Sequence, residues 1–315
     1  MNITRSKSDW WQWSWRLGGD NPQGKLDNWV FEPKISDFRA TENMRDAMAD
    51  ALTDIASESD NLVLFYSGGV DSESILTQAL DQGIDILPVH MRFTSDSGIL
   101  NDHEKYYVEQ FAQKHDIKIE YIDVDIMSWL HTDRSELSWY HINSELGFKH
   151  QGPASLMYLR YLVAQRLGDV TVIHGHGDLP VYGWQDPYNL GSKVWTINYC
   201  WHANFETVKY YYENYPSDIP YFYIYSPELV YSNMKDFERY NCLRPEVKFS
   251  SNSRSYLFQQ LFPDQVSRPK YGGWEKFWQK HSDVPWYRTQ VSDNPEPYSY
   301  IDYEEFYALL RSHAK

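Results

Sequence analysis

Residues Asn61-Leu-Val-Leu-Phe-Tyr-Ser-Gly-Gly-Val-Asp-Ser72, running on into Glu73-Ser-Ile-Leu-Thr-Gln-Ala-Leu80, constrain the fold more than any other part of the chain. Leu62, Val63, Leu64 and Phe65 form a short unbroken apolar run, the pattern of a parallel strand buried on both faces. Ser67-Gly68-Gly69 breaks the run, and Ile75, Leu76, Ala79 and Leu80 then recur at helical spacing. The order is strand, glycine turn, helix.

That junction favours an anion. Gly68 and Gly69 let the backbone turn sharply and bring N–H groups close to a ligand, Ser67 and Ser72 add hydroxyl donors, and the helix directs its positive N-terminus at the same point. Phosphate is the natural guest. The turn has no Gly-x-x-x-x-Gly-Lys-Ser/Thr and no lysine, so it is not a kinase-type phosphate loop. It holds a carboxylate instead, Asp71, and a carboxylate beside a polyphosphate requires a divalent cation between them, for which Mg²⁺ with oxygen ligands is the usual choice.

Ser67-Gly-Gly-Val-Asp-Ser72 resembles the signature of the PP-loop ATP pyrophosphatases, which cleave ATP between its α and β phosphates. The resemblance implies an α/β fold, a parallel-sheet, Rossmann-like domain of the adenine nucleotide alpha hydrolase type. It also implies ATP and Mg²⁺ as ligands, with Ser67, Gly68, Gly69, Asp71 and Ser72 on the phosphates and metal. Adenine is expected against the backbone near Leu64 and Phe65 on the first strand and Met91 on the second.

Composition narrows the partners. Across 315 residues the formal net charge is −15, so a nucleic-acid backbone is repelled unless a local basic patch overrides the average. No apolar run reaches membrane-spanning length, and the first residues lack a signal-peptide core, which leads to an expected cytoplasmic location. Cys200 and Cys242 are far apart, show no zinc spacing and are expected to be buried free thiols.

Periodicity places the other elements. Trp11, Trp13 and Trp15 alternate, as in a strand or hairpin with one aromatic face. A helix is expected over 38–57 with Thr41 as N-cap, a second strand over 84–93, a helix over 102–115 and a third strand over 117–124. A βαβαβ series of this kind builds a parallel sheet whose ligands lie at the strands' carboxyl ends. A helix over 155–168 and a fourth strand over 169–173 lead into His174-Gly-His-Gly-Asp-Leu-Pro-Val-Tyr-Gly183, a second glycine turn. Beyond it the composition turns aromatic, with helices expected over 202–214, 227–240, from Tyr256 to near Pro263, and 302–313. The expected organisation is an aromatic N-terminal segment (1–37), an ATP-binding domain (38–200) and an aromatic-rich helical C-terminal subdomain completing the site (201–315).

The second turn resembles the Ser-Gly-Glu-Gly-Ala-Asp segment of asparagine synthetase, and Arg268-Pro-Lys-Tyr-Gly-Gly273 resembles the Arg-x-Lys-x-Gly-Phe element of asparagine synthetase and β-lactam synthetase. This likeness implies that Gly175 and Gly177 line the nucleotide and that Asp178 joins Asp71 on the metal. It also implies that Lys270, with Arg268, offsets charge at the reacting phosphate. His176 stands where that family has a glutamate and is the candidate base. The function implied is an AMP- and pyrophosphate-forming synthetase without a glutaminase half. It adenylates a small carboxylate or amide for attack by an amine or ammonia, which a separate glutaminase chain could supply. Two other readings stay open: a PP-loop nucleobase-modifying or sulfur-transfer enzyme, which needs a basic groove or a reactive cysteine pair, and a non-catalytic ATP-binding module.

Overall fold

The computed structural model describes residues 2–3, 10–16, 28–96, 98–125, 163–175, 181–185, 193–198, 222–242, 250–265 and 300–315. Strands β1 (Asn2–Ile3), β2 (Trp11–Arg16) and β3 (Asn28–Pro33) form an antiparallel sheet, so the alternating tryptophans do lie on a strand. Trp10, at its edge, is 1% exposed and donates through Nε1 to the carbonyls of Ile224 (3.2 Å) and Tyr225 (3.3 Å). That ties the N-terminal sheet to the C-terminal part of the chain.

Helix α1 (Met44–Ser57) starts later than the expected 38–57. Its N-cap is Asn43, whose side chain accepts from Asp46 N at 2.9 Å, while Thr41 donates to Asn43 O (3.2 Å) and lies 2.5 Å from Ser232 Oγ. The physical reason is tertiary: Phe38 N donates to His313 O, Lys315 N to Phe38 O and Ala40 N to Lys315 O, holding this stretch extended against the chain's last residues.

The central sheet follows. Strand β4 (Leu62–Phe65) leads through the glycine turn into α2 (Val70–Asp81), then β5 (Ile86–Ser95), the short β6 (Gly98–Ile99), α3 (Asp102–His115) and β7 (Glu120–Asp125). Residues 163–167 are helical and precede β8 (Thr171–Ile173). The parallel strands lie in the order β7-β5-β4-β8, with Val63 opposite both Leu87 and Val172, and β6 folds back antiparallel on the end of β5. This is the expected α/β fold. Leu62, Leu64 and Tyr66 face one side and join Ile75, Leu76, Ala79, Val108 and Phe111 in the main core; Val63, Phe65, Val89 and Met91 are buried on the other.

Strands β9 (Val181–Gln185), β10 (Lys193–Asn198) and β11 (Tyr300–Asp302) make a second antiparallel sheet, absent from the helices expected after residue 182. Val194, Thr196 and Ile197 give β10 its β-branched content, a signal too short to stand out in an aromatic-rich stretch. Helices α4 (Pro227–Arg239), α5 (Ser250–Leu261) and α6 (Tyr303–His313) match three expected helices; the one expected over 202–214 lies outside the described residues. Among the described residues no helix is long and apolar enough to cross a membrane. Cys242 is buried and in no disulfide, and Cys200 lies outside the described residues.

Candidate functional site

Numbered by their order in the chain, the four parallel strands among the described residues read 3-2-1-4 across the sheet, so the direction of winding reverses between β4 and β8. A crevice at the carboxyl ends of two such strands is where open α/β sheets bind ligands. Ser67-Gly68-Gly69 follows β4 there, and Gly175, where the second glycine turn begins, comes two residues after β8. They touch, because a Cβ built on Gly175 would lie 3.1 Å from Ser72 N and 3.3 Å from Ser72 Cα. The second turn therefore starts against the N-terminus of α2, and a side chain at 175 would force the two apart.

The first turn is equally tight. Gly68 has φ +73°, and a Cβ there would meet Val108 Cγ2 at 3.0 Å and Glu104 O at 3.3 Å, so the turn is pressed against α3. Gly69, the N-cap of α2, brings no side chain to the helix start. Ser67 Oγ accepts from Gly69 N (3.2 Å) and lies 3.3 Å from Ser72 Oγ, which donates to Gly69 O at 3.2 Å. Both predicted serines thus line one small hydroxyl-rich turn.

Behind the turn the acids are sorted. Glu73, 4% exposed, accepts from Tyr66 Oη at 2.8 Å, a buried bond that spans strand, turn and helix. Asp71 stands in the first turn of α2 with Oδ1 shielded from solvent, and its backbone carbonyl accepts from Tyr223 Oη at 2.6 Å. Burial, reinforced by the Asp71 charge, pushes the Tyr223 phenol well above its ordinary range, so it stays protonated and keeps the proton that it donates to this carbonyl.

Leu64 lies inside the sheet, 0% exposed, paired on both sides. The groups at the strand's open end are Tyr66 and Ser67. Met91 is 7% exposed, and its carbonyl accepts from Asn101 Nδ2 at 2.8 Å, while Phe93 N donates to Asn101 Oδ1 at 2.9 Å. Asn101 also donates to Glu104 Oε2 at 2.8 Å, so one buried amide occupies the row of β5 groups beyond the end of β4. His90 is 1% exposed and directs Nδ1 at Tyr66 O (2.9 Å). A carbonyl only accepts, so Nδ1 carries the proton, and burial lowers the pKa and keeps the ring neutral. His174, 0% exposed, packs on Phe65 with ring centroids 5.5 Å apart. His176, Gly177, Asp178, Arg268 and Lys270 lie outside the described residues.

The donor set fits Mg²⁺ brought in on a triphosphate. Such an ion takes most of its ligands from phosphate and water and needs one or two carboxylates. Asp71, in the first turn of α2, is a carboxylate of the kind such an ion takes. Among the described residues no cluster of three or more acidic, histidine or cysteine ligands exists to hold an ion unaided.

No protein-family model matches the chain, and no curated protein does. Solved structures give distant likenesses, of which three follow. NH₃-dependent NAD synthetase from Campylobacter jejuni is 15% identical over 86% of this chain and 91% of that one, with a TM-score of 0.31. NMN synthetase from Francisella tularensis is 14% identical over 80% and 97%, with a TM-score of 0.32. Glutamine-dependent NAD⁺ synthetase from Acinetobacter baumannii is 14% identical over 88% of this chain and half of its own length, also with a TM-score of 0.32. Likenesses this distant assign no activity.

Proposed function

We propose that the chain is a PP-loop ATP pyrophosphatase acting as an adenylate-forming carbon–nitrogen ligase. The observation that carries this reading is the meeting of two glycine turns at the switch point, Gly175 against the Ser72 backbone at the N-terminus of α2. A phosphate-binding turn without lysine but with Asp71 at its helix start suits a metal-bound triphosphate.

In this mechanism the Ser67–Ser72 turn holds the β and γ phosphates, and Glu73, clamped by Tyr66, fixes the shape of that turn. A substrate carboxylate or amide oxygen attacks the α-phosphorus, and the bond to the bridging oxygen breaks to release pyrophosphate. An amine or ammonia then adds to the activated carbon and AMP departs. Mg²⁺, when bound, would offset negative charge on the pyrophosphate. By the sequence resemblance, Asp178 shares the metal with Asp71, Lys270 and Arg268 face the charge developing at the reacting phosphate, and His176 receives the proton of the attacking nitrogen. The nitrogen source is ammonia, a substrate amine or a separate glutaminase chain.

The test is exchange of labelled pyrophosphate into ATP, with Mg²⁺, across a panel of small carboxylic acids and amides, followed by AMP formation on adding ammonia or amines. At least one acid is expected to support exchange. ATP binding without exchange or AMP from any pair would replace this reading with that of a nucleotide-binding module. Loss of turnover on replacing Cys200 or Cys242 would point instead to sulfur transfer.

A further inference from the structure

The outer face of the first turn of α2 is held by two side chains from much later in the chain. Tyr223, in the 3₁₀ turn Phe222–Ile224, donates to Asp71 O at 2.6 Å and is 0% exposed. Gln265, just beyond α5, donates through Nε2 to Ser74 Oγ (2.8 Å) and Val70 O (3.3 Å). Tyr223 is itself locked: its ring meets Phe258 of α5 edge-on at 5.6 Å and Phe222 at 5.4 Å, and the next two carbonyls, Ile224 and Tyr225, receive Trp10 Nε1. A fully buried phenol has no freedom to follow a moving helix turn, so it fixes where Asp71 sits.

We infer that Tyr223 is a positioning residue for the phosphate turn: its hydroxyl, donated to the Asp71 carbonyl, sets the place of Asp71. The inference rests on the proposed function, since it assigns the first turn of α2 to the triphosphate. Tyr223 touches neither nucleotide nor metal in this scheme and acts through the Asp71 backbone. Gln265 anchors the same turn through Val70 and Ser74, on residues that carry no proposed ligand contact.

The test measures Kd for MgATP, magnesium pyrophosphate and AMP with the wild-type chain and with Tyr223→Phe and Gln265→Ala. Tyr223→Phe is expected to weaken MgATP and magnesium pyrophosphate about tenfold and equally, leaving AMP within twofold, while Gln265→Ala leaves all three within about threefold. Unchanged MgATP binding in Tyr223→Phe, equal weakening of AMP, or the same weakening in both variants would each overturn the inference. If Tyr223→Phe does not fold, hydrogen–deuterium exchange of the wild-type chain decides. Peptides covering 222–225 are expected to slow several-fold with MgATP and not with AMP, and no difference between the two ligands would sink the idea. A wild-type chain that binds neither MgATP nor pyrophosphate would refute the proposed function itself, a result distinct from all of these.

Discussion

Helices α1 and α2 lie side by side, Arg45 of one reaching Gln78 (3.2 Å) and Asp81 of the other, yet their N-termini are finished in opposite ways. At α1 the Asn43 side chain takes Asp46 N, and the fully buried carboxylate of Asp236, from α4, takes Met44 N at 2.7 Å. Ser232 and Lys235 of the same helix close over residues 41 and 42, with Lys235 Nζ 3.0 Å from Glu42 O. At α2 the N-cap is a glycine with no side chain to give, set where two strands part. Orphan N–H groups and a positive helix end call for negative charge in both places. The first is satisfied by the protein's own groups and serves stability, while the second leaves room for a ligand.

The largest effects should therefore come from filling the second start. Gly175→Ala puts a Cβ 3.1 Å from backbone Ser72 N, and Gly68→Ala adds a contact of 3.0 Å with Val108 to a backbone at φ +73°. Each is expected to lower MgATP affinity by about a thousandfold, ~4 kcal/mol by the affinity relation, in isothermal calorimetry. Gly69→Ala is the contrast, because its Cβ would meet only Ser67 Oγ, at 3.1 Å, and that side chain can rotate. Affinity within about threefold of wild type is expected there. A thousandfold loss with Gly69→Ala and none with Gly175→Ala would reverse the assignment of the two glycines.

The third helix start sharpens the comparison. Asn101, N-cap of α3, makes no capping bond and instead turns its amide to Met91 O and Phe93 N of β5. Asn101→Ala leaves two buried backbone groups unsatisfied and should cost about 3 kcal/mol of stability in urea unfolding, at roughly 1–3 kcal/mol per orphaned group. If the β5 groups instead gain a bound base as partner, MgATP would restore much of that loss, and the thermal shift with ligand would exceed that of the wild type.

The sequence made these three helix starts unequally legible. Helix α3 was readable to the residue, since apolar periodicity and acidic first-turn residues coincide at Asp102 and Glu104. The start of helix α1 is ambiguous in the sequence because Thr41 and Asn43 are both capping residues, and the choice between them is made by Ser232 and residues 313–315, nearly two hundred positions or more away. The glycine turn and its acid, Asp71, stood out because the residue types themselves point to the chemistry. Tyr223 did not, since a hydroxyl bonded to a carbonyl 152 positions earlier leaves no periodic trace, and one tyrosine among 26 carries no mark. The sheet β9-β10-β11 was hidden for a related reason, its alternation being shorter than the aromatic run around it.

Asp236 tests the closed start at intermediate size. Burial raises its pKa from the ordinary 3.8, against the pull of the Met44 N–H and Arg239. The folded chain thus binds this proton more tightly than the unfolded one. Stability attributable to the group falls as pH rises from 3.8 through the raised folded value. Asp236→Asn keeps an acceptor for Met44 N and removes the charge, so its stability relative to wild type should improve across that window. Asp236→Ala removes the acceptor and should cost about 2 kcal/mol, within the range for an orphaned buried donor. MgATP affinity should not move in either variant. A change of more than threefold would mean that the α1 start, like that of α2, takes part in binding.

The smallest effect isolates the local cap from the long-range one. Asn43 accepts from Asp46 N and donates to Asp46 Oδ2 at 2.8 Å, both at the surface, where water can replace what is lost. Asn43→Ala should therefore cost about 1 kcal/mol, the usual worth of an N-cap, read as a shift in the urea midpoint with unchanged slope. Asp236 holds the same helix start from across the core, so the double variant with Asp236→Ala measures whether the two caps act on one turn or separately. Losses that add would mean each satisfies its own N–H group, Met44 and Asp46. A double variant less stable than the sum would mean that either cap alone keeps the first turn wound and that α1 frays only when both are gone.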